Sequence, residues 1–320
     1  MGVHGRHERH TSTALACVVA ALGLVVPGPP PARAQLEGPH IGQDVPYVPT
    51  PANVVEAMLE IAKVGPNDFV IDLGSGDGRI VIAAARQRGA RGFGVEIVPS
   101  LVTDARREAQ RQGVGDRVHF VAENLFITDI GKATVLTAYL YPNILHQLRP
   151  RIFEQLKPGA RVVSHEFDFG SWKPDAQVRV SVPDKPYGPP VSDVYLWVVP
   201  ANAAGRWQWR MPGNGGEAVC ELEVKQTFQV LDGTLRIDGK PARIENLQLR
   251  GADLQLVASA GESGRPARIT LAGVIAGDTI RGTARLTDGG AETPWQASRV
   301  ARGKIEIDVA AASPRLAAHY

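Results

Sequence analysis

Cysteine is nearly absent from this chain. Cys17 and Cys220 are the only two in 320 residues. Cys17 lies in an N-terminal leader, so the remainder holds one thiol and no internal disulfide. Histidine and cysteine nowhere cluster at zinc-ligand spacing, and no metal is expected. His4, His7 and His10 recur at every third position, but they belong to the polar start of the leader. An excess of charge of either sign is also missing. Lys and Arg number 35 against 33 Asp and Glu, and without Met1–Ala34 the two signs balance at 32 each. With no basic block, a phosphate backbone has nothing to grip, which argues against nucleic acid as a partner. No apolar run reaches the roughly 20 residues that span a bilayer. What is present, 44% hydrophobic and 21% charged residues, is a globular composition long enough for two domains.

The leader has three parts. Met1 to His10 is basic and polar, Thr13 to Val26 is an apolar run of 14 residues, and Pro27 to Pro31 end it before Ala32-Arg33-Ala34. A basic start, an apolar centre and an A-x-A ending mark residues 1–34 as a signal peptide, cleaved after Ala34. Export to a bacterial periplasm is the expectation, and an uncleaved anchor in the inner membrane is the alternative. Export would part the chain from cytosolic metabolites. Residues 35–44 read as a linker.

The chain is organised around Phe69 to Ile80. Phe69-Val70-Ile71-Asp72 reads as a buried strand, Gly74, Gly76 and Gly78 form a turn, and Arg79 to Arg86 reads as a helix. Strand, glycine turn and helix open a nucleotide-type α/β domain. The spacing is not the dinucleotide G-x-G-x-x-G, because Arg79 stands where the third glycine belongs, and the Gly-Lys-Ser/Thr of a Walker loop is missing. Asp72 and Asp77 flank the turn, which suits a cationic or amino-bearing ligand and would repel a pyrophosphate. After Gly92-Phe-Gly-Val, a second strand ends on Glu96. A carboxylate there can accept both hydroxyls of a ribose.

These residues closely resemble motif I of the class I, seven-strand S-adenosylmethionine (AdoMet) methyltransferases. Over Val45 to Pro174 the chain resembles the ATP synthase c-subunit lysine methyltransferases and their bacterial relatives. The resemblance implies a Rossmann-like seven-strand sheet over residues 45–200, with AdoMet as cofactor. It turns Asp72, Gly74, Ser75, Gly76, Asp77 and Gly78 toward the methionine part and makes Glu96 the ribose acid. Asn124 and Leu125, after the third strand Val118 to Val121, would contact the adenine. The family usually has Asp-Leu-Phe there, and Asn124 keeps both a donor and an acceptor without the charge. Thr50 can cap the first helix, with Pro51 at its first position. By the resemblance, Tyr47 and Thr50 also fold over the cofactor. The fourth strand, Ala133 to Tyr141, would end facing the transferred methyl, where Tyr141 or Asn143 can orient an amine. Tyr139-Leu-Tyr-Pro-Asn143 replaces the Asn/Asp-Pro-Pro-Tyr common in base methylators. Near the end of the fifth strand, Arg161 to Phe167, Glu166 is the candidate to take the proton of an ammonium, with His165 and Asp168 beside it. Gln177 to Val182 and Asp193 to Val199 supply an antiparallel last pair.

From Gly205 the helical period disappears. Short alternating strands run over Arg206 to Met211, Ala218 to Leu231, Thr234 to Ile237, Ile244 to Leu249, Asp253 to Ala258, Ala267 to Ile275 and Thr279 to Leu286. Asp232-Gly233, Asp238-Gly239, Gly277-Asp278 and Asp288-Gly289 read as hairpin turns. Residues 205–309 are therefore an antiparallel all-β meander, either a barrel or a sandwich, whose texture resembles calycin-like barrels. Residues 310–320 are a tail. The functional expectation is methyl transfer from AdoMet, with a protein lysine as the favoured acceptor. A membrane-associated substrate and a small-molecule acceptor are further options. The competing reading is an exported, non-catalytic binding protein on a methyltransferase scaffold.

Overall fold

The computed structural model describes residues 1–2, 47–186, 188–213, 216–260, 267–286 and 290–307. The expected leader (apart from Met1 and Gly2), the linker, the Asp288-Gly289 turn and the tail lie outside the described residues. From residue 47 on, the described chain belongs to one compact unit.

Seven strands form the first sheet: β1 Phe69–Leu73, β2 Arg91–Glu96, β3 Val118–Ala122, β4 Val135–Ala138, β5 Arg161–His165, β6 Ala176–Ser181 and β7 Val191–Val198. Their order is β3-β2-β1-β4-β5-β7-β6. The first five are parallel, and β7 runs antiparallel to both β5 and β6. Helices α1 Ala52–Ile61, α2 Arg79–Arg88, α3 Pro99–Arg111 and α4 Pro142–Gln155 accompany the sheet. Strand alternation divides the apolar residues between two faces. Val70, Val135, Val163 and Val194 meet Val54, Met58 and Leu59 of α1, while Ile71, Leu136 and Val162 meet Ile144, Leu148 and Ile152 of α4. Burial on both faces explains the near-continuous apolar strands.

Two local expectations are corrected. Thr50 does not cap α1. Pro51 is the cap residue, and no side chain bonds to the helix start, because the Thr50 hydroxyl is turned to His165 instead. The fourth strand is also shorter than expected: only Val135–Ala138 pair, so Tyr139, Leu140 and Tyr141 leave the sheet and shape its end. Helix α4 contains Pro150, which has no N–H for the carbonyl of His146. Arg149 Nε, 3.4 Å away, donates to that oxygen.

The remaining strands close into a barrel. They are β8 Gly205–Gly213, β9 Gly216–Thr227, β10 Val230–Ile237, β11 Lys240–Arg250, β12 Asp253–Ala260, β13 Ala267–Ala276, β14 Thr279–Arg285 and β15 Thr293–Arg302, with a short β16 Ile305–Glu306 parallel to β9. Each of the first seven pairs antiparallel with the next, and β15 returns antiparallel to β8. Closure removes the sheet edges and decides for a barrel over a sandwich. The β9–β10 hairpin turns at Phe228-Gln229, where Phe228 takes φ 52°, and not at Asp232-Gly233. Those two residues lie within β10, where a side chain on Gly233 would meet Leu247 at 2.6 Å. Val230 accordingly points outward, 64% exposed, while Leu222, Val224 and Phe228 are buried.

One end of the barrel is sealed by a cation. Arg299, on β15, lies 4.0 Å over the ring of Trp207, its side chain 2% exposed beside Asp278. Its guanidinium donates to the carbonyls of Asn202, Ala204 and Gly277. Barrel and first sheet share a packed seam. Phe228 stacks on Trp172 (6.1 Å, 12°) and touches Phe153. Buried Gln226 accepts the Ala203 N–H and donates to the carbonyls of Ala201 and Phe228. Phe228→Ala should therefore reduce unfolding stability by about 3–5 kcal/mol, read as a lower urea midpoint. An unchanged midpoint would mean that the seam contributes nothing.

Candidate functional site

Sheet order creates the cleft. Leaving β1, the chain builds β2 and β3 on one side and β4 on the other, and an α/β sheet opens a crevice at the carboxyl ends where this switch occurs. Asn124 and Leu125 after β3, Glu96 at the end of β2, Asp72 to Asp77 at β1, and Tyr139 and Leu140 after β4 line it in spatial order, and Tyr47 to Thr50 cross it as a strap.

The glycine turn is fixed by backbone donors. Gly74 and Ser75 give their N–H groups to the Val95 carbonyl, each at 2.9 Å. Gly76 gives its own to Glu96 Oε2 (2.9 Å), while Glu96 Oε1 accepts the Val98 N–H at 3.0 Å. Glu96 is thus pre-oriented, and its oxygens retain lone pairs for further donors. Gly76 sits at φ 51°, and a Cβ there would lie 2.4 Å from the Tyr47 ring. Gly78 (φ 78°) begins α2 but does not line the cleft; a Cβ would strike Phe120 at 2.6 Å, so its glycine is required by packing.

Three carboxylates surround this turn, each controlled differently. Asp72 is 2% exposed and accepts from the Thr137 hydroxyl at 2.7 Å. Burial, with the charges of Glu96 and Asp77, pushes its pKa up to about 7 despite that hydrogen bond. Burial also raises Asp77, but hydrogen bonds and charge from Arg79, helped by the Tyr47 hydroxyl, leave it below the usual carboxylate range. Arg79 grips both Asp77 oxygens (Nε–Oδ1 2.9 Å, Nη2–Oδ2 2.5 Å) and donates to the Thr50 carbonyl at 2.8 Å. The residue that breaks the dinucleotide spacing is therefore the one that ties the strap to the turn. On the strap's other side, Thr50 Oγ1 lies 3.2 Å from His165 Nδ1. Burial, with the charge of Lys185, lowers His165 to about 3, so its imidazole is neutral.

The cleft brings together every residue expected at the cofactor except Gly78, and leaves the expected catalytic residues outside its lining. Tyr141 caps α4 and is 38% exposed, and Asn143 is exposed. Glu166 is engaged by Lys185, with Nζ–Oε1 at 2.8 Å. Sequence reasoning did not assign site roles to Arg79, Tyr139 or the apolar Ile97, Val98 and Leu101 at the β2 end. Arg79 alone had left a signal, its place in the broken fingerprint. Among the described residues no group of three or more His, Cys, Asp or Glu could hold a metal.

The arrangement fits AdoMet. Glu96 suits a ribose diol, and Asp72 and Asp77 suit an ammonium and a sulfonium. Ser75 lines the cleft, but its Oγ is buried without a partner, 2.6 Å from where a Cβ on Gly94 would lie. Asn124 spends its amide oxygen on the Phe126 N–H (2.9 Å), which leaves its NH2 donors for the acceptor nitrogens of a base.

The chain is similar to several known proteins. The ANTKMT methyltransferase domain matches residues 72–176. A protein-lysine N-methyltransferase of Saccharolobus islandicus is 44% identical over 156 residues, covering 48% of this chain and 94% of that protein. The adenine nucleotide translocase lysine N-methyltransferase of Mus musculus is 39% identical over 135 residues, covering 42% of this chain and 58% of that protein. Among solved structures, an RNA methyltransferase from Salinibacter ruber in complex with S-adenosyl-L-homocysteine is 52% identical, covering 47% of this chain and 93% of that one, with a TM-score of 0.43.

The raised pKa of Asp72 has a testable sign. A folded pKa near 7, against about 3.9 unfolded, gives a stability contribution that is complete below the lower value and lost as pH rises through 7. Ligand-free Asp72→Asn should therefore gain thermal stability over wild type between pH 5 and 8, by several degrees at pH 8, while binding AdoMet at least tenfold more weakly. Parallel melting curves across that range would contradict the assignment.

Proposed function

The chain belongs to the class I AdoMet-dependent methyltransferases, and we propose that it methylates the side-chain amine of lysine in a protein acceptor. The observation that carries this is the cleft itself: Glu96, Asp72 and Asp77 meet around one glycine turn. The protein acceptor is supported by the relatives from Saccharolobus islandicus and Mus musculus, both named as lysine methyltransferases.

When bound, AdoMet would supply an electrophilic methyl carbon on a sulfonium, to which a neutral amine nitrogen would bond as the carbon–sulfur electron pair passes to the departing thioether. The protein's own part is positional. Glu96 fixes the nucleoside by its hydroxyls. Asp72 and Asp77 hold the cationic end near β1, and Arg79 keeps the strap over the turn, which limits water. Lys185 holds Glu166 Oε1, while Glu166 Oε2 is buried without a partner and stays the candidate to take the acceptor's proton. Calorimetry tests the cofactor half: wild type should bind AdoMet, and Glu96→Ala should bind about 100-fold more weakly, having lost two charge-assisted hydrogen bonds. Radiolabelled AdoMet added to an extract tests the acceptor half. Label on protein lysines is the expected result. Label only in small molecules, or only in RNA as the name of the Salinibacter relative would suggest, would refute the lysine acceptor.

The leader pattern of residues 1–34 supports a second proposal, that the chain is exported and meets acceptors at or beyond the inner membrane, a membrane-associated protein among them. Among the described residues no helix is long and apolar enough to cross a membrane. Mass spectrometry of the cell-derived protein should find Gln35 at its N-terminus in the periplasmic fraction, and a full-length cytoplasmic protein would refute export.

A further inference from the structure

The end of the cleft at β4 and β5 is built differently from the rest. Toward β1, β2 and β3 the lining sets Glu96, Asp77 and Asn124 beside apolar Ile97, Leu101 and Phe126. Beyond Asp72 it has no charged group, only the Tyr139 ring beside Leu140 and Ile144. Tyr139 lines the cleft and faces Phe167 (centroids 6.3 Å apart, 23° between planes), and Phe167 in turn meets Tyr141 at 5.9 Å. Tyr141 is 38% exposed and Phe167 partly buried, so the three rings lead from the surface to the cleft.

A strained turn puts Phe167 in that row. Glu166 adopts φ 67° without being glycine. Such a conformation persists only where surrounding bonds over-determine it. Here the Glu166 N–H goes to the Asp193 carbonyl (2.7 Å), the Phe167 N–H returns to the His165 carbonyl (2.8 Å), and the Ser164 hydroxyl donates to the Phe167 carbonyl. Lys185 holds the Glu166 carboxylate. The His165 ring, 4.0 Å from Tyr139 and bonded to Thr50, backs the innermost ring. Asp168 is exposed beside Phe167, a negative charge on the rim.

We infer that Tyr141, Phe167 and Tyr139 form the acceptor portal and select an unbranched chain that ends in an amine, the side chain of a protein lysine. This rests on the methyltransferase reading and extends it to the residues that choose the acceptor. Ring faces attract a cation without demanding a hydrogen-bond donor in a fixed direction. The attacking nitrogen becomes positive as the methyl arrives, so the same faces stabilise the charge that develops there. The outer position of Tyr141 accounts for its absence from the cleft lining. It meets the arriving chain and does not hold the reacting atom.

The test uses the full chain and three ligands: S-adenosylhomocysteine, and two analogues in which nitrogen replaces its sulfur and carries either a 4-aminobutyl or an n-butyl arm. In wild type the aminobutyl arm should bind about tenfold more tightly than the butyl arm. Tyr141→Leu, Phe167→Leu and the double variant should lose that preference while binding S-adenosylhomocysteine like wild type, which also reports an intact fold. Equal affinity of the two arms for wild type, or a preference that survives in the double variant, would overturn the portal and leave the methyltransferase reading standing. Failure of wild type to bind S-adenosylhomocysteine at all would remove both.

Discussion

Crowding of negative charge around one backbone turn is the constraint on which this structure depends. Asp72, Asp77 and Glu96 converge where β1 and β2 end, and the fold manages their repulsion by three separate means. Glu96 is answered by two backbone N–H groups, and Asp77 by a guanidinium. Asp72, buried with one hydroxyl for company, holds its proton to near neutrality. A ligand with a diol at one end and positive charge at the other relieves the strain that the fold maintains. This is electrostatic preorganisation, set up before the ligand arrives. Stability is surrendered at the site, as functional sites commonly require.

The strap and the portal follow from the same economy of space. Arg79 neutralises Asp77 and also holds the Thr50 carbonyl, while the Thr50 hydroxyl reaches His165 at the end of β5. Cover over the turn and backing of the ring row thus meet in one residue. The barrel supports this region from outside the cleft. Its Phe228 enters the aromatic cluster of Phe153, Trp172 and Trp197, and that cluster packs against α4, the helix that Tyr141 begins.

Much of the cofactor cleft was legible because it is local. Gly74, Gly76 and Gly78 follow a strand and precede a helix, and strand, turn and the next strand's terminal acid recur at spacings set by a βαβ unit. The acceptor side was not legible to the same degree. Tyr141, Asn143 and Glu166 were named by position along their strands, but the early end of β4 at Ala138 and the left-handed turn at Glu166 decide which side chains reach the cleft. Similarly, Asp232-Gly233 carries a strong hairpin signal, yet it runs straight through β10. Turn propensity is weaker than the register that eight closing strands impose.

The sequence by itself determined the α/β class of the first half, the glycine turn, its acids and the β-rich second half, because periodicity and short-range spacing are properties of neighbouring residues. Closure of the meander into a barrel, the packing of Arg299 over Trp207, and the hold of Arg79 and His165 on the strap were settled by long-range packing. It alone also assembled Tyr139, Tyr141 and Phe167 into one row. Those arrangements join residues far apart in the chain, and the geometry of packing, not local propensity, selects them.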